Sequence, residues 1–167
     1  MSVNLDQRAS QCAQQVYFGS HSDDIDRIIA DANFSGLQAL GPLSKRQAAK
    51  AARNSAFCNR TEIFDHLFQN YALTPKTRAD CISNFAVFGD VERIQGMLSR
   101  GAMKLPDKCS AISVAVRNNH PNVVVALMDG EKIPKETLQT FLKLAEEYEY
   151  VNLSGFFRNA IEGYTDS

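Results

Sequence analysis

The order of apolar and polar residues predicts helices along most of the chain. Between residues 91 and 98 the apolar side chains are Val91, Ile94, Met97 and Leu98, and this spacing of three and four places them on one helix face. No stretch shows convincing strand alternation. The segment "NVVVALM" (122–128) would also suit a buried strand, because valine favours strands, but its alignment with helical segments elsewhere favours a helix.

The same pattern returns at a spacing of 30 residues. Segments 53–72, 82–102 and 112–132 each contain a small residue, two variable positions, a turn residue, and apolar residues five, eight and nine positions after that turn. The turn residues are Asn59, Gly89 and Asn119, and the eighth positions are Leu67, Met97 and Leu127. A recurrence with this period predicts helix pairs that stack and share one core.

Two less regular copies extend the pattern in both directions. A fourth copy, one residue shorter, aligns at Ala145, Tyr148, Leu153, Phe156 and Phe157. A weaker first copy aligns at Phe18, His21, Ile25 and Ile29. We therefore expect a single array over 1–167, with an N-terminal capping repeat at 1–35, a link at 36–44, repeats at 45–72, 73–102, 103–131 and 132–161, and a tail at 162–167.

Proline and serine mark the expected starts of the first helix in each repeat. Proline is tolerated in the first turn of a helix, where its missing N–H has no helical partner, so Pro75, Pro106 and Pro134 predict helix starts. Ser44, followed by Gln47 three residues later, predicts a capping box.

Composition excludes several classes of protein. Hydrophobic residues make up 44% of the 167 residues, charged residues 22%, and the net charge is −1, so no basic surface for nucleic acid is expected. The first residues, "MSVNLDQRASQCAQQ", do not resemble a secretory signal, and no apolar run approaches the roughly 18 residues that span a bilayer. We expect a cytoplasmic protein with no membrane partner, and export by a specialised secretion system stays open.

Residues that could carry chemistry are scattered. The cysteines Cys12, Cys58, Cys81 and Cys109 lack the close spacing of zinc ligands, so no metal site is predicted and reduced thiols are expected. No catalytic or cofactor-binding motif is present, so we predict no cofactor and no enzymatic activity. A small cysteine-dependent enzyme on a helical scaffold is the remote alternative.

The repeats resemble ankyrin repeats. The family's core reads roughly T-P-L-H-x-A-A-x-x-G-H-x-x-V-V-x-x-L-L-x-x-G-A, and "SAISVAVRNNHPNVVVALMDG" (110–130) and "FAVFGDVERIQGMLSRGA" (85–102) follow it. The period here is about 30 residues instead of the family's 33, and the T-P-L-H turn is degraded throughout. The resemblance implies an all-α stacked helix-turn-helix solenoid lacking most β-hairpin fingers, of the kind found in effectors of intracellular bacteria and in some viral proteins. Other solenoids of helix pairs remain possible.

The resemblance also implies a function and a surface. Ankyrin-like modules bind proteins on the concave side of the stack, so we expect an adaptor, a scaffold or an effector-type target binder; an inhibitor or immunity-type protein is the alternative. The family pattern assigns partner contacts to Asn54, Phe57, Asn84, Val87, Phe88, Val114, Arg117, Asn118, Lys143 and Glu146. Binding is expected to centre on the line Phe57–Phe88–Arg117, although the two phenylalanine rings also fit a packing role.

Overall fold

The structure, a computed structural model, describes residues 24–163. It contains ten helices: α1 (Asp24–Ala30), α2 (Phe34–Ala39), α3 (Lys45–Phe57), α4 (Thr61–Asn70), α5 (Pro75–Phe88), α6 (Val91–Ser99), α7 (Leu105–Arg117), α8 (Pro121–Met128), α9 (Lys135–Glu147) and α10 (Val151–Glu162). No strand occurs between residues 24 and 163. The predicted all-α fold class is confirmed.

One turn joins the two helices of every pair. The residue after the first helix, or the one following it, has a positive φ, at Ala32, Asn59, Gly89, Asn119 and Glu149. The next residue donates its N–H to the carbonyl five positions earlier, for example from Arg60 to Ser55 at 2.7 Å and from Tyr150 to Ala145 at 2.9 Å. This is the Schellman ending of a helix, which satisfies carbonyls that the helix itself leaves unpaired.

The last pair keeps the full period of 30 residues. Tyr148 was predicted as its turn residue, but the left-handed residue is Glu149, which follows Asn119 by 30 positions. The eighth position after the turn is therefore Phe157, which is fully buried, and not Phe156. The predicted one-residue deletion is wrong.

The first described pair also corrects the sequence register. Ile25 and Ile29 were aligned with a second helix, yet α1 ends in the turn that closes the first helix of every other pair. The predicted link at 36–44 contains the end of α2, so the non-helical connection is 40–44. Phe18, His21 and Cys12 lie outside the described residues, as do most of the predicted cap and tail.

The helices form two compact units. Among the described residues the N-terminal unit comprises 24–84 and the C-terminal unit 85–163, a division that falls within α5. In the N-terminal unit α1 packs on α3 and α2 on α4; in the C-terminal unit α7 packs on α9 and α6 on α8. First helices therefore lie against first helices, and second helices against second helices, inside each unit.

The predicted core positions are buried. Leu67 in the N-terminal unit, and Met97 and Leu127 in the C-terminal unit, have no exposed surface. The inward face of α3 consists of small residues, Ala48, Ala51, Ala52 and Ala56, which are also fully or almost fully buried. Small side chains allow the neighbouring helices to approach closely, while the larger apolar residues of the second helices fill the space beside them.

A second hydrogen bond recurs between successive pairs. Before α4, α8 and α10, the residue that precedes the second helix reaches back to the last carbonyls of the preceding first helix. The Arg60 guanidinium donates to Ala30 O at 2.8 Å, His120 Nε2 to Val87 O at 2.9 Å and the Tyr150 hydroxyl to Arg117 O at 3.3 Å. Each bond satisfies a helix-end carbonyl and fixes the neighbouring pair beside it.

Candidate partner-binding surface

A shallow groove of about 430 Å³ runs between α7 and α9 in the C-terminal unit. Its lining residues come at helical spacings of three and four along the two helices, so each helix contributes one face. They are Pro106, Cys109, Ser110, Ser113, Glu136, Thr137, Thr140 and Phe141. Partner contacts were predicted on first helices, to which α7 and α9 belong, but none of the ten predicted contact residues lines this groove.

The groove combines an apolar floor with hydroxyl groups. Phe141 is 2% exposed and belongs to the core beneath. The Ser113 hydroxyl donates to Cys109 O at 3.0 Å, and the Thr140 hydroxyl donates to Glu136 O at 2.9 Å. Because each proton is already engaged by its own helix, these oxygens are available as acceptors for a donor such as a peptide N–H.

Two cations lie on the same helices beyond the groove. Arg117 and Lys143 are exposed, and neither forms an ion pair with another described residue. Along α7 the spacing continues from Ser110 and Ser113 to Arg117, and Lys143 follows Thr140 by three residues on α9. The positively charged side chains therefore extend the face that begins with the hydroxyl groups.

The remaining predicted residues of the C-terminal unit differ in exposure. Val87 is only 8% exposed, so its side chain belongs to the core, and its carbonyl is already bonded to His120. Phe88, Val114 and Asn118 are half-buried. Asn118 donates its side-chain amide to Val114 O at 2.8 Å, which is a helix-end bond.

The corrected register moves the predicted positions of α9 by one residue. With the full period, the equivalents of Val114, Arg117 and Asn118 are Leu144, Glu147 and Tyr148. Lys143 and Glu146 are exposed as expected, but they occupy the neighbouring positions. Glu146 forms an ion pair with Arg158, with 2.6 Å between Oε1 and the guanidinium, so it already has a partner within the chain.

In the N-terminal unit two predicted contact residues hold helices together. Asn54 donates to Asp26 Oδ1 at 2.7 Å, and the Lys50 ammonium lies 2.6 Å from Asp26 Oδ2. Asn84 donates to Arg53 O at 3.3 Å. Asn54 and Asn84 are half-buried, and their side chains form hydrogen bonds between helices. Their role in binding a partner stays a prediction.

Phe57 is half-buried. It belongs to the N-terminal unit, whereas Phe88 and Arg117 belong to the C-terminal unit. The line Phe57–Phe88–Arg117 therefore stays a prediction.

The free thiols are not activated. Burial and the neighbouring Asp80 raise the pKa of Cys81 to about 12, and burial raises the pKa of Cys109. A nucleophilic cysteine needs a lowered pKa, so neither site has the electrostatics of a cysteine enzyme. Cys81 and Cys109 are free thiols, as expected.

The described residues form neither a metal-binding cluster nor a helix that could cross a membrane. Residues 24–163 contain no group of three or more His, Cys, Asp or Glu side chains arranged to hold a metal ion. None of the helices in that range is long and apolar enough to cross a membrane.

Comparison of the chain with protein-family models, curated proteins and solved structures found no match. The resemblance to ankyrin repeats stays a prediction.

Proposed function

We propose that this chain is a protein-binding module that holds a segment of its partner along the exposed face of its first helices. The observation that carries the proposal is the groove between α7 and α9, with acceptor oxygens above an apolar floor. An extended peptide presents backbone N–H donors and alternate side chains, which such a surface can bind. Arg117 and Lys143 would select a segment with an acidic residue at one end.

We further propose that the helix pairs form a finger-poor, ankyrin-like solenoid. The common turn, the bonds from the residues before α4, α8 and α10 to the preceding first helix, and the packing of first helix on first helix within each unit all support it. In such an array the binding surface is built from equivalent positions of successive pairs. The short connections at 40–44, 71–74, 100–104 and 129–134 fit the absence of projecting fingers.

A pulldown with a groove-blocking variant tests the binding surface. Ser110 and Thr140 are exposed, so the double variant Ser110→Arg, Thr140→Arg should fold normally while its long side chains fill the groove. The matched control, Asn122→Arg with Asn159→Arg, places the same charges on exposed positions of the second helices α8 and α10. We expect the wild type and the control to capture the partner from a cell lysate and the groove variant to capture none. Equal capture by all three proteins would assign binding to another surface.

Phe88→Ala separates binding from packing at the predicted aromatic position. If Phe88 anchors the partner, capture falls and the melting temperature stays within a degree or so of wild type. If the ring is a packing element, the variant loses about 3 kcal/mol of stability, as for a core phenylalanine. A partner that is an enzyme and loses activity in the complex would favour the inhibitor alternative over an adaptor.

A further inference from the structure

A cavity of about 250 Å³ lies in the N-terminal unit, separate from the groove. It is bounded by α2, the connection 40–44 and the C-terminal part of α4. Its apolar lining consists of Leu37, Pro42, Leu43 and Leu67; Leu37 and Leu67 belong to the core and are 3% and 0% exposed, whereas Pro42 and Leu43 are accessible. A ligand here would contact Pro42 and Leu43 and lie over side chains that the core already holds in place.

The connection that closes the cavity is fixed to α4. The Leu43 N–H donates to the Tyr71 hydroxyl oxygen at 3.0 Å. Since the oxygen accepts this bond, the Tyr71 proton remains available as a donor. Gly41, with a φ of +72°, and Pro42 turn the chain around the cavity.

The polar lining is ordered as well. The Asn70 amide nitrogen donates to His66 O at 2.8 Å and lies 3.4 Å from His66 Nδ1, which leaves Asn70 Oδ1 as an acceptor. The Phe34 ring contacts the His66 imidazole edge to face, with centroids 5.2 Å apart. These contacts hold one donor, the Tyr71 hydroxyl, and one acceptor, Asn70 Oδ1, on the lining of an apolar site.

The size and charge of the cavity define the ligand. Among residues 24–163 no Asp, Glu, Lys or Arg side chain lines it, so a charged ligand would lose hydration without gaining an ion pair to a carboxylate, an ammonium or a guanidinium group. An apolar cavity of roughly 150 Å³ can hold benzene, so this one has room for a ring with a substituent or a fused second ring. We propose that the cavity binds an uncharged aromatic ring with one hydrogen-bonding group, of the phenol or indole type. The ring could belong to a free small molecule or to a tyrosine or tryptophan side chain.

Leucine-methyl NMR on the full chain tests the site. Titration with phenol and with indole should give saturable shifts at the methyl groups of Leu37, Leu43 and Leu67, with dissociation constants of about 1 mM or lower. Benzoate and benzylamine, which carry the same ring with a charge, should bind at least tenfold more weakly. N-acetyl-tyrosinamide, which is uncharged, distinguishes a free small molecule from a protein side chain as the source of the ring. If it binds more tightly than phenol, the ring belongs to a side chain; if it binds more weakly, the ligand is a free molecule.

Two variants of one type localise the effect. Gln38→Trp places a large ring at an exposed lining position, whereas Gln69→Trp places it at an exposed position of α4 that does not line the cavity. We expect Gln38→Trp to weaken phenol binding at least tenfold and Gln69→Trp to leave it unchanged. The absence of saturable wild-type shifts at the three leucines, tight benzoate binding, or unchanged binding by folded Gln38→Trp would each overturn the proposal. If Gln38→Trp fails to fold, the wild-type titrations with phenol and benzoate alone support or overturn the proposal.

Discussion

At the scale of single residues, the turns within the helix pairs differ in how well their residues suit the left-handed backbone. Asparagine and glycine adopt this conformation readily, and they occupy positions 59, 89 and 119. Gly89 is required for a second reason, because an added Cβ would lie 2.6 Å from His120 Nδ1. Ala32, with a φ of 52°, and Glu149, with a φ of 58°, have neither advantage, so they are the strained members of the series.

Replacing Glu149 with glycine should stabilise the protein. The left-handed conformation costs a residue with a side chain about 1–2 kcal/mol. This cost exceeds the free energy that glycine loses through its greater loss of conformational entropy on folding. Glu149→Gly should therefore raise the free energy of unfolding by about 1 kcal/mol. Urea denaturation measures the change. The control Gln139→Gly, at an exposed position inside α9, should lower stability by about 1 kcal/mol. A destabilised Glu149→Gly would show that the glutamate itself makes a stabilising contact.

Local capping was the most predictable feature at this scale. Ser44 and Gln47 form the expected capping box, with both reciprocal bonds present. Pro75 begins α5, Pro106 lies in the first turn of α7, and Pro134 immediately precedes α9. These outcomes follow from residues within one turn of each other. Burial of Val87 depends on packing between helices, and the sequence could not reveal it.

At the scale of elements, an ion pair joins α7 to the connection before α9. The Lys108 ammonium lies 2.6 Å from Glu131 Oε1, and the lysine side chain is only 7% exposed against 35% for the glutamate. The lysine charge is thus kept inside the protein by one carboxylate near the surface. Removing the glutamate and removing the lysine should therefore lower stability by different amounts, because only the lysine is buried.

We expect Glu131→Gln to destabilise the protein more than Lys108→Met. The first change leaves a buried ammonium without its counter-charge, at about 2 kcal/mol, whereas the second replaces the lysine stem with apolar atoms and should cost less than about 1 kcal/mol. Chemical denaturation of both variants and of the double variant gives the coupling. Equal losses, or a larger loss for Lys108→Met, would mean that the aliphatic stem matters more than the charge.

The errors in element placement have local causes. The last pair was shifted by one residue because apolar residues stand side by side, as at Val123 and Val124, so a slipped alignment still matches apolar to apolar. The short helix α2 was mistaken for a link because it contains Gly36. That glycine lies where the Asn33 side chain caps the helix, accepting from Gly36 N at 2.8 Å, and a Cβ there would lie 2.7 Å from Asn33 Nδ2.

At the scale of the whole molecule, α1 covers the alanine face of α3. Its Ile25, Ile28 and Ile29 are buried, and Asp26 bonds to Lys50 and Asn54. Without α1, the small-residue face of α3 would be open to water and to other molecules. Among the described residues, α1 is therefore the element that serves as a cover for α3.

Deleting residues 1–33 should destabilise the chain and cause self-association. Burial of three isoleucines contributes about 1.5–3 kcal/mol each, so stability should fall by more than about 3 kcal/mol. Size-exclusion chromatography with light scattering and thermal unfolding measure both effects. Deletion of 1–23, which retains α1, is the matched control and should be milder. A monomeric 1–33 deletion with unchanged melting would remove the capping role.

The surface was less predictable than the fold class. Apolar periodicity determines which faces are buried, and it led to helices and to Leu67, Met97 and Leu127 correctly. The contact residues predicted on the first helices, Arg117 and Lys143 among them, stay a prediction, and none of them lines the groove. The groove's Ser110 and Thr140 could not be singled out in the sequence, because hydroxyl residues on an amphipathic helix look like ordinary solvated positions until two helices are placed side by side.

The bond between successive pairs has a consequence for how the repeats can vary. An arginine, a histidine and a tyrosine, at positions 60, 120 and 150, all reach a main-chain carbonyl of the pair before. Because every residue type offers that carbonyl, the bond requires only a side-chain donor of sufficient reach from the later pair. The turn residue of the earlier pair is constrained where the donor lies against it, since a Cβ at position 89 would lie 2.6 Å from His120 Nδ1. Side chains elsewhere on the surface of a pair can therefore change without breaking this bond.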